Sequence, residues 1–237
     1  MKIALVGYGK MGKEIEQIAI SRGHEIVLKV NSSNAGNFTN EELKMADVAI
    51  EFSVPQSAIN NINRCIDANI PVIVGTTAWL DKKNEVIDRC IDSNGTLLYS
   101  SNFSIGVNLF FQLNKKLAEL MKPYHEYEVS MKEIHHVHKL DAPSGTAITL
   151  ANAIIEELPR KNKWVVNTDA KLTEIEIRAL RTNNIPGTHS VMYNSAVDSI
   201  SIEHIAHNRK GFALGAVIAA EYLQDKKGIY TMHDVLK

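Results

Sequence analysis

Cysteine is scarce: the chain has two, Cys65 and Cys90, in 237 residues. That is too few for a disulfide framework and points to a reducing compartment. Net charge is almost absent as well. Twenty-six basic side chains against 27 acidic ones leave a formal charge of -1, so no basic field marks a nucleic-acid or anionic-membrane partner. No apolar run approaches the length of a membrane span, and Met1 leads straight into a strand pattern. The location expected by default is cytoplasmic. Internal repeats and low-complexity tracts are also missing. What remains is ordinary for a globular protein. With 45% hydrophobic and 22% charged residues, disordered and fibrous states are excluded. The length suits one large domain or two small ones.

Ile3-Ala4-Leu5-Val6 is a short apolar run closed by glycine, as a buried parallel strand should be. Met11, Ile15, Ile18 and Ala19 then fall on one helical face. Further strands are predicted at Glu25 to Val30, Val48 to Ile50, Val72 to Val74 and Leu97 to Tyr99, with Pro55 placed to open a helix. Alternating strands and helices imply an α/β fold, with a Rossmann-like, doubly wound parallel sheet over residues 1–102. The pattern then changes. Val107 to Met121 and Ser144 to Leu158 read as helices, and Tyr127 to His135 alternates as a half-buried strand. Alternating segments follow near Leu172–Arg181, His189–Asn194 and Ser199–Ala206. Consecutive strands favour antiparallel pairing. Residues 103–206 therefore read as a second, α+β domain on a mixed sheet. Arg160 to Ala170 reads as a loose polar loop. Residues 207–237, with a helix over Gly211 to Leu223, read as a return to the first domain.

Gly7-Tyr8-Gly9-Lys10-Met11-Gly12 fits G-x-G-x-x-G between a predicted strand and a predicted helix. Glycines allow the tight turn and close backbone approach, and a helix amino end offers free N–H groups to a pyrophosphate. The bland alternative is a tight turn without ligand. An acid ending the second strand would select NAD through the ribose hydroxyls. Here that end reads Lys29-Val30-Asn31-Ser32-Ser33 and holds no acid. Asn31, Lys10 and the serines tolerate a 2′-phosphate, so NADPH is expected to serve at least as well as NADH. The alternative is that Lys10 and Lys29 are ordinary surface charges. Gly75-Thr76-Thr77 and Ser100-Ser101-Asn102-Phe103 end the fourth and fifth strands, where ligands of such sheets lie. Small hydroxylated residues there also make plain turns.

Glu133 to Thr146 is the most informative stretch. Three of the nine histidines, His135, His136 and His138, crowd into four positions, followed by Lys139, a turn and a predicted helix. A strand end carrying proton donors thus meets a helix amino end carrying anion-binding N–H groups. That suits reduction of a carboxylated, electron-poor double bond, with hydride from a nicotinamide and a proton from a nearby cationic acid. Adjacent histidines on a strand point to opposite faces, so no metal is expected there. A purely structural reading makes Asp141 or Ser144 the helix cap and Pro143 its opener.

Glu133-x-His135-His136-x-x-Lys139-x-Asp141-Ala142-Pro143-Ser144-Gly145-Thr146-Ala147 resembles the signature of the dihydrodipicolinate reductase (4-hydroxy-tetrahydrodipicolinate reductase) family. Asp47-Val48-x-Ile50-x-Phe52-Ser53, Ser101-Asn102-Phe103-Ser104-x-Gly106-Val107-Asn108 and His204-x-Ala206-x-x-Arg209 extend the likeness along the chain. The resemblance implies an NADPH- and/or NADH-dependent reductase of a small cyclic dicarboxylate in the diaminopimelate route to lysine. It implies that His135 transfers a proton, Lys139 is the second proton donor and His136 binds substrate. Gly145 and Thr146 would hold a substrate carboxylate, and the glycine loop, Gly75 to Thr77 and Ser100 to Phe103 would contact cofactor. A homotetramer built through the mixed sheet and closure on substrate are implied too. The chain departs from the family pattern in three places. Its glycine loop is one residue shorter than Gly-Ala-x-Gly-Arg-Met-Gly, with Lys10 for arginine. Asn31-Ser32 stands where an acid–arginine pair is frequent. Thr188 replaces the glutamate of Gly-Glu-His. Two rival functions fit the glycine loop alone: an amino-acid dehydrogenase such as aspartate dehydrogenase, and a catalytically idle NADP-binding protein. The first does not account for Asp141 to Thr146, and intact His135 and Lys139 argue against the second.

Overall fold

The computed structural model describes residues 1–77 and 79–237, which divide into two compact units. One comprises Met1–Ile105 with Lys210–Lys237, and the other Gly106–Arg209.

The first unit opens with β1 (Lys2–Val6), α1 (Lys10–Ser21), β2 (Glu25–Val30) and the short α2 (Asn40–Leu43). Then come β3 (Val48–Glu51), α3 (Pro55–Asp67), β4 (Val72–Val74), α4 (Lys83–Asp92) and β5 (Thr96–Tyr99). β1 pairs with both β2 and β3, and β4 joins β3 to β5, all in parallel. Both sheet faces are covered, which is why Ile3 to Val6, Val48 to Ile50 and Val72 to Val74 are unbroken apolar runs. Ile3 and Leu5 face a cluster holding Ile15 and Ala19 of α1, whereas Ala4 and Val6 face Ala58, Ile62 and Cys65 of α3. Cys65 and Cys90 are buried free thiols, and burial pushes the Cys65 thiol up to about 12. Among the described residues, no helix is long and apolar enough to cross a membrane.

The second unit holds most of α5 (Ile105–Met121), then β6 (Glu128–His135), α6 (Gly145–Glu157), β7 (Lys163–Val166), β8 (Glu174–Arg181), β9 (Gly187–Asn194) and β10 (Ser199–Ala206). Its mixed sheet runs β10-β9-β6-β8-β7. β9 pairs antiparallel with β6 and β10, while β8 runs parallel to β6 and β7. β8 and β9 are consecutive but do not pair, because β6 lies between them. Val129 and Met131 of β6 bury one face against Leu150, Ala151 and Ile154 of α6, and Phe110 and Ala118 of α5 join the same cluster. The other face presents Ser130, Lys132, Glu176, Arg178, Ser190 and Met192 around an open cleft.

The chain then returns to the first unit as α7 (Lys210–Tyr222), β11 (Gly228–Tyr230) and α8 (Met232–Val235). β11 adds a sixth parallel strand beside β5, and Ala213, Ala216 and Val217 of α7 pack with Ile15 and Ala19 of α1.

Two expectations are corrected. Arg160 to Ala170 is not all loop: Lys163–Val166 is an edge strand paired with Glu174–Ile177, and its Trp164 and two valines are good strand formers. The strand predicted from Leu172 begins at Glu174, whose carboxylate and N–H turn back to the Lys171 backbone. The junctions between the compact units fall at 105/106 and 209/210, three residues beyond the expected domain bounds. Phe103 belongs to the first core, packed 5.5 Å from the Phe52 ring with its carbonyl against Gly215.

Candidate active site

The glycine loop leaves β1 where neighbouring connections diverge to β2 on one side and β3 on the other, the usual ligand position of doubly wound sheets. Gly7 has φ +109, and a Cβ there would lie 2.2 Å from the Phe52 carbonyl oxygen. A Cβ on Gly12 would lie 2.6 Å from the Gly7 oxygen. The N–H groups of Gly7 and Tyr8 both donate to the Val30 carbonyl, which fixes the turn. Gly9 is the N-cap of α1 and brings no capping side chain. Nothing lies within 4 Å of where its Cβ would be. An open cradle before a helix amino end without first-turn acids fits a pyrophosphate.

Thr76, Thr77, Ser100 and Ser101 border one cleft at the ends of β4 and β5. The Thr76 hydroxyl oxygen accepts from Ser53 N–H at 2.8 Å. The Ser100 hydroxyl donates to the Asn102 carbonyl at 2.8 Å. Gly75 is required by the Phe52 ring, which a Cβ would meet at 2.1 Å. The Phe103 side chain is buried in the core and presents no ring surface to a ligand. Asn31 closes a local turn, its Oδ1 accepting from the Ser33 N–H and hydroxyl. Two acids here, Glu16 and Glu51, escaped sequence reasoning. Lys29 is paired with Glu16 at 2.5 Å, and the Tyr8 hydroxyl also donates to that carboxylate. The Lys29 hydrogen bond leads the interactions that hold the Glu16 carboxyl below its ordinary value. Buried Glu51 accepts from Ser53 and Asn61 beneath the cleft.

In the second unit, Glu133 and His135 lie two apart on β6 and so share the helix-covered face. Glu133 is fully buried. Its Oε1 accepts from Arg181 at 3.0 Å and its Oε2 from the Ser144 N–H at 3.0 Å. Burial pushes its pKa up, but hydrogen bonds from His189, Ser144 and Arg181 outweigh it and hold the carboxyl at about 2. His135 Nδ1 stands 3.5 Å from Glu133, and its ring meets His189 edge-on at 5.0 Å. Burial lowers the His135 pKa to about 4 despite the raising effect of Glu133, helped by the charges of His189, Lys139 and Arg181. Gly187 gives this ring room: a Cβ there would lie 3.1 Å from His135 Nε2.

Ser144 caps α6, its Oγ accepting from the Ala147 N–H and meeting His189 Nε2 at 3.0 Å. Pro143 therefore precedes the cap instead of opening the helix. Gly145 and Thr146 form the first turn, and among the described residues no protein group accepts from their N–H groups. Lys139 Nζ donates to both Asp141 oxygens at 2.7 Å. His136 lies just past the strand, its ring 6.2 Å from that of His138. The structure thus gathers His135, Lys139, Gly145 and Thr146 with three residues that sequence reasoning gave no role: Glu133, Arg181 and His189. Glu133, His135 and His189 place possible metal ligand atoms within 4.8 Å of one another. Both Glu133 oxygens are already occupied, one by a guanidinium, so the trio fits a hydrogen-bonded cluster better than a cation site.

Residues 1–103 match the family model of the dihydrodipicolinate reductase N-terminus, and residues 106–236 that of its C-terminus. The chain belongs to the dihydrodipicolinate reductase family. It is 50% identical over 237 residues to a 4-hydroxy-tetrahydrodipicolinate reductase of Christiangramia forsetii, covering 100% of this chain and 98% of the relative. A 4-hydroxy-tetrahydrodipicolinate reductase of Thermosipho africanus is 33% identical over 239 residues, again covering 100% and 98%. A dipicolinate-bound dihydrodipicolinate reductase structure from Paenisporosarcina sp. TG-14 superposes with a TM-score of 0.77 at 22% identity, covering 98% of this chain and 97% of that one. That last likeness concerns the fold.

Proposed function

We infer that this chain is an oxidoreductase that reduces 4-hydroxy-tetrahydrodipicolinate to tetrahydrodipicolinate with NADH or NADPH, the 4-hydroxyl leaving as water, in the diaminopimelate route to lysine. The observation that carries this reading is one cluster in the second unit: His135 and Lys139 beside the open amino end of α6. Full-length identity of 50% to a reductase of that name supports it.

On the cofactor side, Gly7, Gly9 and Gly12 admit the pyrophosphate, and the N–H groups of Lys10 and Met11 face it. The nicotinamide half of the site is assigned to Gly75, Thr76, Thr77, Ser100, Ser101 and Asn102, with Tyr8 and Asn31 on the adenosine side. Phe103 supports that wall from within the core. When bound, the dihydronicotinamide supplies a hydride. NADPH is expected to serve at least as well as NADH, since no acid follows β2. A KM ratio strongly favouring NADH would sink that expectation.

On the substrate side, Gly145 and Thr146 hold one carboxylate with their free N–H groups, and His136 binds the same dianion. The Lys139 ammonium, held by Asp141, supplies the proton that accompanies the hydride. His135 is neutral at pH 7 in the free protein. A dianion beside it favours the imidazolium, which lets it take part in proton transfer once substrate is bound. The test is oxidation of NADPH and NADH in the presence of freshly generated condensation product of pyruvate and aspartate semialdehyde. Turnover is expected, and Lys139→Ala should lower kcat by about 10²–10⁴ with cofactor affinity unchanged. Full activity in Lys139→Ala would remove its assigned role. A homotetramer assembled through the open sheet face, where Met192 is 40% exposed, is the assembly we favour; light scattering on the eluting species distinguishes it from a monomer. A cytoplasmic location is proposed from the two free buried thiols.

A further inference from the structure

We propose that the ion pair between Glu133 and Arg181 is the positioning device of the substrate side: it holds the Lys139 loop, the amino end of α6 and the His135 ring in one fixed arrangement. The proposal rests on the functional reading above for what those three parts do. It rests on geometry for how they are held.

Glu133 sits on the central strand of the mixed sheet with no exposure to water. A buried carboxylate is tolerated only when its oxygens are bonded and its charge is matched. Here each bond reaches a different element. Oε2 takes the Ser144 N–H, which anchors the residue before the Gly145-Thr146 turn. The same oxygen lies 3.5 Å from His135 Nδ1 and 3.7 Å from His189 Nε2. Oε1 takes Arg181 Nη2 from β8.

Arg181 carries the arrangement onward. Its Nη2 also donates to the Asp141 carbonyl at 2.5 Å, and its Nε to the Lys139 carbonyl at 3.3 Å. The guanidinium thereby grips the turn from both ends of the Lys139–Asp141 pair. Lys139 Nζ is in turn held by the Asp141 side chain. A planar fork with several donors can make these bonds at once, and a lysine ammonium on a flexible stem cannot reproduce them. Neither Glu133 nor Arg181 is given contact with the reacting atoms. They act through Lys139, Ser144 and His135, and small displacements of such groups cost large factors in rate.

Two variants test this, read against wild type for kcat and KM with the diacid, Kd for dipicolinate, and Kd for NADPH. Glu133→Gln keeps an acceptor for the Ser144 N–H but drops the charge. It should lower kcat at least about tenfold and weaken dipicolinate at least about tenfold, with NADPH affinity unchanged. Arg181→Lys keeps a positive charge beside Glu133 but releases the turn. It should lower kcat by about tenfold or more while KM and dipicolinate affinity change less than about threefold. A role confined to stability would lower Tm without that separation of kcat from KM. Wild-type kcat in Arg181→Lys overturns the proposal whatever Glu133→Gln does, including failing to fold. If wild type itself does not turn over the diacid, the functional reading fails. The holding role then stands or falls on dipicolinate affinity, which must drop in Glu133→Gln.

Discussion

His135 is an imidazole placed where its charged form is disfavoured. Its pKa of about 4 lies below the ordinary 6.5, so protons bind the unfolded chain more readily than the folded one. Stability from this group is complete above pH 6.5 and is lost as pH falls from 6.5 towards 4, by up to about 3 kcal/mol. Glu133, depressed to about 2, adds its own loss between pH 4.5 and 2. His135→Ala should flatten the stability curve between pH 6.5 and 4, as measured by urea melts at fixed pH. An unchanged slope would mean the ring is not buried neutral. At this scale the sequence was informative where chemistry is contiguous. His135 through Thr146 form one uninterrupted string, so their types and spacing suffice to suggest proton donors facing an anion site. Arg181 and His189 come from β8 and β9, and only the placement of β6 between those strands brings them to Glu133. Nothing local in either segment marks that meeting.

Among elements, the turn from β1 into α1 separates two uses of glycine. Gly7 needs its positive φ and would drive a Cβ into backbone. Gly7→Ala should cost about 3 kcal/mol or more through strain and overlap. Gly9 faces open space, so Gly9→Ala should change stability by less than about 1 kcal/mol yet weaken NADPH at least about tenfold by filling the pyrophosphate cradle. Thermal melts paired with cofactor titrations check both; equal stability loss in the two variants would contradict the assignment. β10, which alternates along most of its length, and β2, bounded by glycine and asparagine, were legible to their ends. β7 and β11 were not. Each is three or four residues long and exists because an edge of a sheet is available to it, which is a property of β8 and β5 and not of its own sequence.

At the scale of the whole molecule, the first unit is made of two chain segments, and its core is closed by α7, which follows the second unit in the sequence. Ala213, Ala216, Val217, Ala219, Ala220 and Leu223 are all essentially without exposure. Removing them and baring Ile15, Ala19 and Phe103 forfeits burial worth roughly 10 kcal/mol, comparable to the entire stability of a domain. A chain ending at residue 209 should therefore fail to bind NADPH and lose hydrogen-exchange protection throughout residues 1–105. Residues 106–209 should remain protected, because their core, led by Leu150, Ile177 and Tyr193, is contained within that one segment. Protection persisting in β1 to β5 of the shortened chain would show that α7 is dispensable.

The same division has a consequence for synthesis. A ribosome delivers β1 to β5 first, yet the helix that seals them emerges only after the whole second unit. The middle segment is complete by the time that helix begins. The earliest-made strands thus wait, apolar and open on one side, until the segment after the second unit arrives. During that interval the first half is the part that depends on chaperones.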